Sequence, residues 1–408
     1  MQIVYDIVII GAGPAGLGFA ASMLDTNVNV LILERSDLED ISMPKVDGRE
    51  VALTHLSLKI LKKLGVWDLV DQTKVSPLRE AKVFDGDSPS LLNFKSDKAN
   101  IEALGYLVPN YKIRQALYNR VKDAKNITIQ TNTLADDVIQ LENSAQVFLV
   151  GGECIETKLV IAADSRFSSI RRKVGIPTLM KDFSKVMIIT KMMHEKSHEN
   201  IALECFDYGR TLALLPLIGD VSSVVLTVKT DESKKILEMN EAEFNEMITS
   251  SFKASLGEMT QSGKRHSYPL VATHAQTFIA KRFALIGDAA VGMHPVTAHG
   301  YNLGLRGQDI LATLIKEALE HGQDIGSSSL LKLYEKRHIN LTRLMFFGTN
   351  GIVELFTNDA PMIKQVRKMV LKFAENFPPI KYLISNQLTE AKSNKFTPFE
   401  KILKKLPF

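Results

Sequence analysis

With 408 residues the chain is long enough for two or three domains, and its 45% hydrophobic and 24% charged residues are typical of a soluble protein with a substantial core. Its two cysteines, Cys154 and Cys205, lie far apart outside any CxxC pattern, which argues against a disulfide framework and against a bound metal. No run approaches the roughly 18 uncharged apolar residues of a membrane span. The opening lacks the basic n-region of a secretory signal, so we expect a cytoplasmic protein.

The first predicted elements form a β-α-β unit around a glycine-rich turn. Residues 4–10 are an apolar run that predicts a strand, a helical run extends to Leu24, and a second strand covers residues 28–33. In such a turn the first glycine permits the tight bend, the second lets backbone approach a pyrophosphate, and the third lets the helix pack on the strand. The turn itself reads Gly11-Ala12-Gly13-Pro14-Ala15-Gly16.

The second strand closes on Glu34, 18 residues after Gly16. A carboxylate at this position can accept hydrogen bonds from ribose hydroxyls, and the helix N-terminus attracts phosphates. The unit therefore predicts dinucleotide binding. Glu34 does not by itself distinguish FAD from NAD, because both carry an adenosine ribose.

A polar, irregular loop is expected after this unit, followed by Arg49 and a helix over residues 56–64. Arg49 could neutralise a diphosphate or face a flavin ring; a solvated loop arginine is the alternative. Residues 79–94 alternate weakly and predict strands outside the nucleotide-binding domain. A helix is predicted over residues 111–123.

A short strand over residues 127–130, a hairpin over 134–150 and a fully apolar strand over 159–163 follow. The last strand ends on Asp164. Because ligands of α/β proteins bind at the carboxyl ends of parallel strands, Asp164 is a candidate site residue.

The pattern changes after residue 183. Four β-rich runs separated by turn signals extend to residue 228 and predict an antiparallel sheet, hence a second domain. One helix is predicted over residues 232–251 and another strand over 265–270. Proton-handling candidates in this part are His194, His266 and Tyr268.

A second motif begins after a buried strand over residues 283–286. Gly287-Asp288 comes first, His294-Pro295 follows, and a long helix is predicted from Asn302 to His321. No second GxGxxG occurs. The sequence therefore predicts one dinucleotide-binding fold, not two.

The remaining chain is predicted to be helix and loop. From Pro361 to the end, ten Lys and Arg stand against three Glu, while the whole chain has a net charge of +4. Basic residues there alternate with apolar ones at helical spacing, which favours either contact with anionic lipid or docking on the protein with a solvated basic face. Nucleic-acid binding is not expected, because no aromatic residues are interleaved with the basic ones.

Taken in order, these motifs resemble those of the FAD-dependent aromatic hydroxylases of the para-hydroxybenzoate hydroxylase fold, over about residues 4–345. Within that family the spelling is most similar to the ubiquinone-biosynthesis hydroxylases, and Asp164-Ser165-Arg166-Phe167-Ser168 is similar to a demethoxyubiquinol hydroxylase subgroup. Ser165 departs from the usual Asp-Gly pair. This departure puts in doubt a positive φ there and the details of nicotinamide recognition.

The resemblance implies roles for several residues. It places His294 and Pro295 in the environment of the flavin ring, as the catalytic candidates. N–H groups of Gly300, Tyr301 and Asn302 would stabilise negative charge on reduced flavin from a helix N-terminus. The cofactor-binding candidates are Gly11, Gly13, Ala15, Gly16, Glu34, Arg35, Arg49, Arg114, Asp164, Gly287, Asp288, Pro295, Gly300, Tyr301 and Asn302.

The implied fold class is α/β: a Rossmann-like FAD-binding domain with an interleaved antiparallel β-sheet substrate domain and a C-terminal helical region. We assign residues 1–75, 105–182 and 275–325 to the FAD-binding domain. Residues 76–104 and 183–274 are assigned to the substrate domain, and residues 326–408 to the helical region.

The implied function is a monooxygenase that uses FAD, NADPH or NADH, and O2 to hydroxylate a prenylated phenol or quinol in ubiquinone biosynthesis. The basic C-terminal stretches would keep such an enzyme at the inner face of a membrane, and a biosynthetic complex is a further partner to consider. Two alternatives stay open: a flavin-dependent isoprenoid or quinone reductase or dehydrogenase, and a flavin-binding accessory subunit.

Overall fold

The structure is a computed structural model that describes residues 5–85, 92–96, 101–207, 210–295, 299–357 and 389–390. Its strands, in chain order, are β1 Tyr5–Ile10, β2 Val30–Leu33, β3 Glu50–Leu53, β4 Ser76–Leu78, β5 Glu80–Asp85, β6 Leu92–Lys95, β7 Gly105–Pro109, β8 Ile127–Gln130, β9 Ala135–Gln140, β10 Ala145–Leu149, β11 Cys154–Ala162, β12 Thr178–His194, β13 Ile201–Asp207, β14 Arg210–Pro216, β15 Val221–Lys229, β16 Met259–Gln261, β17 His266–Ala275, β18 Ile279–Ala280, β19 Phe283–Leu285 and β20 Val291–Gly292. Its helices are α1 Pro14–Ser22, α2 Leu38–Ser42, α3 His55–Lys63, α4 Asn110–Val121, α5 Ser169–Lys173, α6 Thr230–Glu238, α7 Glu241–Ser251, α8 Gly300–Glu320 and α9 Ser328–Thr357.

The first sheet carries the nucleotide-binding motifs. Its strands lie in the order β18-β19-β11-β1-β2-β8, and the β9–β10 hairpin pairs onto β11. Strands β19, β11, β1, β2 and β8 are parallel to one another. Their carboxyl ends therefore meet along one edge, where α/β proteins bind ligands. The β1 residues Ile7, Val8 and Ile9 are fully buried, as expected for a parallel strand covered on both faces.

The second sheet has the order β20-β17-β12-β15-β14-β13-β5-β6, with β16 paired to β12. One face packs against α6 and α7: Val224 and Leu226 of β15 share a core with Ile236, Phe244 and Ile248. We call this face the outer face. Most of the pairs are antiparallel, as predicted, but β13 pairs with β5 in parallel, so the sheet is mixed.

The opposite face of this sheet, here called the inner face, is turned toward the nucleotide-binding part. Tyr268 on β17 donates a hydrogen bond from its hydroxyl to the carbonyl of Asp47, at 2.6 Å. Lys191 on β12 forms an ion pair with Glu50 on β3, at 3.2 Å. A third, small sheet has the strand order β3-β7-β4. These contacts connect the two parts of the fold.

Two sequence predictions about local structure are wrong. The helix predicted over residues 232–251 is two helices, α6 and α7, because Asn240 caps α7: its side chain accepts from the N–H of Glu243, whose carboxylate accepts from the N–H of Asn240. This capping box starts a new helix where a continuous one was expected. The polar loop after Arg35 contains α2, whose first turn is capped by Asp37.

The fold class is the predicted one, whereas the division of the chain into domains stays an interpretation. No described helix is long and apolar enough to cross a bilayer. The basic amphipathic stretches after residue 361 lie outside the described residues, apart from Thr389 and Glu390. Membrane contact through them therefore stays a prediction.

Candidate active site

The glycine-rich turn connects β1 to α1 in the way the sequence predicts. Gly11 has φ +109°, and a Cβ there would lie 2.6 Å from the carbonyl oxygen of Ala163 at the end of β11. A Cβ on Gly16 would lie 2.0 Å from the carbonyl oxygen of Gly11, so only glycine lets α1 pack this close. A Cβ on Gly13 would meet no atom within 4 Å. The turn is thus closed on the protein side and open above Gly13.

Glu34 lies beside this turn. Its carboxylate accepts a hydrogen bond from the N–H of Ala12 at 2.7 Å and another from the N–H of Ser36 at 2.9 Å. These bonds fix the acid at the tip of β2, next to the turn. Each oxygen keeps a lone pair that can accept from a ribose hydroxyl. The neighbouring Arg35 is exposed to solvent.

The loop after β11 is organised by Asp164. Burial raises the pKa of this carboxyl, while hydrogen bonds from the Ser168 hydroxyl and from the N–H groups of Asp164 and Ser165 oppose the shift. Its Oδ1 is buried and accepts no hydrogen bond from the described residues. The backbone φ of Ser165 is not positive. The replacement of the family's glycine by Ser165 therefore brings no left-handed strain.

The second motif meets the first directly. Gly287 has φ +59°, and a Cβ there would lie 2.6 Å from the Cβ of Ala15 in α1. A Cβ on Gly304 of α8 would lie 3.3 Å from the Cα of Gly287. In addition, Ser22 of α1 donates to the side-chain oxygen of Gln308 in α8 at 3.1 Å. Two motifs that are far apart in the sequence thus form one surface.

Asp288 stands at this surface and is paired. Its Oδ2 lies 3.0 Å from a guanidinium nitrogen of Arg166, which also donates to the carbonyl of Val271 at 2.8 Å. Arg171 donates to the carbonyls of Ala289 and Arg166. The two arginines therefore join the Asp164 loop to the Gly287 turn. Asp288 keeps 43% of its side chain exposed, so it can still accept hydrogen bonds from a ligand.

Arg166 and Arg171 are site residues that were not predicted from the sequence. The available signal was an arginine two residues after the acid at a strand end. Its partner, Asp288, could not be identified from local spacing, because it lies in a different motif.

The N-terminus of α8 also opens toward this region. His299 caps the helix without a side-chain hydrogen bond, so the N–H groups of Gly300, Tyr301 and Asn302 have no intrahelical acceptor. The side chain of Asn302 accepts from the N–H of Thr54 at 3.1 Å and donates to the carbonyl of Ala52 at 2.8 Å. Asn302 thus holds the N-terminus of α8 against the β3–α3 junction.

Tyr301 and His294 are held in low-dielectric surroundings. The hydroxyl of Tyr301 is buried without a hydrogen-bond partner among the described residues, and burial raises the pKa of this phenol. Burial, and then the cations of Lys185 and Arg166, lowers the pKa of His294 to about 4. Its ring, edge-on to Phe183 at 4.7 Å between centroids, is therefore neutral at neutral pH. Pro295 follows it at an exposed position.

The other predicted residues are placed differently. Arg49 binds the carboxylate of Asp47 and lies over the Tyr268 ring, 5.3 Å from its centroid. Arg114 donates to the carbonyl of Asp40 at 3.3 Å. Both are anchored within the nucleotide-binding part and its boundary with the second sheet. Of the proton-handling candidates, His194 bonds to the Ser222 hydroxyl and a backbone carbonyl, and Tyr268 to the carbonyl of Asp47.

The residues present fit FAD. Space above Gly13 and an α1 N-terminus without a side-chain cap suit a diphosphate. Glu34 suits an adenosine ribose, and Asp288 suits the ribityl hydroxyls. The N-terminus of α8, which has no side-chain cap hydrogen bond, suits the electron-rich edge of an isoalloxazine. These groups lie along the carboxyl edge of one parallel sheet.

We expect Asp288→Ala to raise the Kd for FAD about tenfold or more, because the substitution removes the carboxylate that can bind the ribityl chain. A tenfold rise in Kd corresponds to a loss of about 1.4 kcal/mol in binding free energy. Fluorescence titration of the apoprotein with FAD measures this. Arg166→Met is the matched control: it breaks the ion pair but keeps Asp288, and we expect a smaller loss. An equal loss in both variants would show that only the ion pair matters.

Comparison with known proteins agrees with this site. The family model described as an FAD-binding domain matches residues 4–345. Ubiquinone hydroxylase UbiM of Neisseria meningitidis serogroup C is 45% identical over 95% of this chain and 85% of that protein. Ubiquinone hydroxylase UbiL of Rhodospirillum rubrum is 31% identical over 93% of this chain and 88% of that protein. The solved structure of p-nitrophenol 4-monooxygenase PnpA from Pseudomonas putida superposes with a TM-score of 0.76 at 17% identity, covering 95% of this chain and 99% of that chain.

The site and the match together define the class: a flavin-dependent aromatic hydroxylase fold with one FAD-binding domain. The chain belongs to the FAD-binding domain family of aromatic hydroxylases. It is an FAD-dependent monooxygenase, as the sequence predicted, and NAD(P)H is the reductant typical of this family.

Proposed function

We propose that this enzyme hydroxylates the aromatic ring of a prenylated phenol or quinol in ubiquinone biosynthesis, with NAD(P)H and O2 as co-substrates. The observation that carries the proposal is the 45% identity to a ubiquinone hydroxylase, which extends over 95% of the chain. A third relative, 3-demethoxyubiquinol 3-hydroxylase of Escherichia coli, is 26% identical over 91% of the chain. The likeness to all three supports a substrate of the ubiquinone pathway.

The residues of the site support this chemistry. FAD, when bound, takes a hydride from NAD(P)H and activates O2 for insertion into a ring. The N–H groups at the N-terminus of α1 and the carboxylate of Glu34 bind the nucleotide. The carboxylate of Asp288 binds the ribityl chain. The first turn of α8 stabilises negative charge at the reduced ring through its N–H groups. Because these donors are backbone amides, they stabilise the negative charge without giving up a proton.

The inner face of the second sheet supports an apolar aromatic substrate. Along one row of that face lie Ile189, Val225 and Ala213, in register on β12, β15 and β14. Phe206 and Phe356 pack together at its edge, with ring centroids 4.2 Å apart. Such a surface holds an apolar ring and excludes water from the activated oxygen.

The test is complementation with quinone profiling. Expressed in bacterial strains that each lack one ubiquinone hydroxylase, the protein should restore ubiquinone in at least one strain, and the intermediate that disappears identifies the ring position. The Gly13→Val variant, which we expect to lose FAD, is the matched negative control. If the protein accumulates with bound FAD but restores no strain, a ubiquinone precursor is not its substrate.

A further inference from the structure

One ionisable side chain on the inner face, Glu204 of β13, has no role in the mechanism described above. The face on which Glu204 lies follows from its two neighbours in the strand. Leu203 and Cys205 pack against the outer-face core that includes α6 and α7. Because successive strand residues point to opposite faces, Glu204 lies on the inner face with Ala202 and Phe206. The inner face is the one that meets Asp47 and Glu50 of the nucleotide-binding part.

The neighbours of Glu204 are apolar. Across the strand pairs, its register partners are Ala213 on β14 and Val83 on β5. Along its own strand the inner-face neighbours are Ala202 and Phe206, both buried. Phe356 of α9 covers Phe206. A carboxyl group in this position faces the same surface that would hold the substrate ring.

Glu204 is partly buried, and the described residues give its carboxyl group no ion pair and no side-chain hydrogen bond. Burial alone raises the pKa of its carboxyl group to about 8; no hydrogen bond and no charge among the described residues contributes to the shift. Buried carboxyl groups are normally paired with a donor or a cation. A carboxyl without either, on the substrate side of a sheet, is typical of a functional group.

Three other ionisable groups on the elements around this face are engaged by protein groups. Tyr268 donates to Asp47, Lys191 pairs with Glu50, and Lys181 pairs with Glu354 of α9. On β14 the inner-face positions Thr211, Ala213 and Leu215 carry no charge. The remaining ionisable residues that strand alternation places on this face are Lys185 on β12, Lys229 on β15, and His266 and His274 on β17. His274 bonds to the Thr342 hydroxyl and to the carbonyl of Ala275.

We propose that Glu204 is the base that takes the proton from the substrate's ring hydroxyl during hydroxylation. This inference rests on the proposed function, because it requires a phenol or quinol as substrate. The O–H bond of the substrate breaks and an O–H bond forms on the Glu204 carboxylate, with no electron transferred to the protein. The ring oxygen then carries the negative charge and makes the ring a stronger nucleophile toward the activated oxygen. After the new C–O bond forms, Glu204 returns its proton to the ring oxygen, and the hydrogen on the hydroxylated ring carbon leaves as a proton to solvent water, which restores the aromatic ring.

The acidity of the two groups suits this transfer. A phenol has a pKa of about 10 and an ordinary glutamate about 4.3, so an ordinary carboxylate is far too weak a base. Burial moves the pKa of Glu204 to about 8, which brings the two values close. Proton transfer between groups of similar pKa near the working pH is the condition for efficient general-base catalysis.

The experiment compares Glu204→Gln with the wild-type holoenzyme, using a truncated-tail prenylated hydroquinone and its methyl ether as probes. Coupled hydroxylation by Glu204→Gln should fall about 100-fold or more, while its Kd for FAD is unchanged. Wild-type turnover should rise with pH through a limb near pH 8, because the base must be ionised, and this limb should be absent in Glu204→Gln. Methylation of the ring hydroxyl should slow the wild type strongly but cause no additional loss in Glu204→Gln.

Two further variants sharpen the result. Glu204→Asp should keep the pH limb at a reduced rate, and Glu238→Gln on the exposed face of α6 should change nothing. The free energy of unfolding of Glu204→Gln should be at least that of the wild type, because glutamine places no ionisable group in this partly buried position. If the wild type hydroxylates the hydroquinone but Glu204→Gln keeps the rate and the pH limb, Glu204 is not the base. If the wild type hydroxylates no ring substrate at all, the proposed function itself fails.

Discussion

Replacement of Gly13 by valine should abolish tight FAD binding and leave the fold intact. Gly13 has φ −72° and ψ 178°, a conformation open to any residue and favoured before proline. A Cβ there meets no protein atom within 4 Å. The valine side chain would therefore occupy only the space into which the diphosphate approaches.

We expect the Kd for FAD to rise at least tenfold, about 1.4 kcal/mol, and activity to be lost with it. The free energy of unfolding of the apoprotein should stay within about 0.5 kcal/mol of the wild type. The measurement pairs FAD titration with thermal unfolding of both apoproteins, since FAD would stabilise only the protein that binds it. A variant that binds FAD as tightly as the wild type would place the diphosphate away from Gly13.

Replacement of Gly16 by alanine should have the opposite effect and destabilise the fold itself. The new Cβ would lie 2.0 Å from the carbonyl oxygen of Gly11 and 3.2 Å from Cγ2 of Ile9. Because both belong to the β1–α1 connection, the helix can make room only by moving off the sheet. We expect a loss of about 3 kcal/mol or more in the free energy of unfolding, even without FAD.

Gly18, two residues further along the same buried helix, provides the matched control. A Cβ there would approach no atom closer than 3.8 Å. Alanine gains roughly 0.5–1 kcal/mol over glycine within a helix, so Gly18→Ala should be neutral or slightly stabilising. Chemical denaturation of the three apoproteins measures the contrast. Equal stabilities of Gly16→Ala and Gly18→Ala would contradict the close packing of α1 on β1.

The cofactor half of the site could be predicted from the sequence, because its information is local. Gly11, Gly13 and Gly16 each perform a task within one turn, and Glu34 follows at the end of the next strand. Gly287 and Asp288 likewise follow directly from a buried strand. Asn240 also carried a readable signal, since Glu243 stands three residues later, and the missed helix start could have been identified from that pair.

The substrate half could not be predicted in this way. The inner-face position of Glu204 depends on the pairing of β13 with β14 and β5, and β5 lies far earlier in the chain. The neighbouring inner-face residue Phe206 is covered by Phe356 at the end of α9. The ion pair of Arg166 with Asp288 has the same character, because its partners come from two motifs. The position of Glu204 and the ion pair of Arg166 with Asp288 both depend on pairing between distant parts of the chain, which local spacing does not show.

This fold binds FAD and uses it to insert oxygen into an aromatic ring. The most direct measurement follows the purified holoenzyme with NAD(P)H and a truncated-tail prenylated hydroquinone under oxygen-18 gas. We predict one labelled oxygen atom in each hydroxylated product, with NAD(P)H and O2 consumed in equal amounts. A reduced or unchanged ring without label, while NAD(P)H is consumed, would contradict oxygen insertion and identify a reductase or dehydrogenase instead.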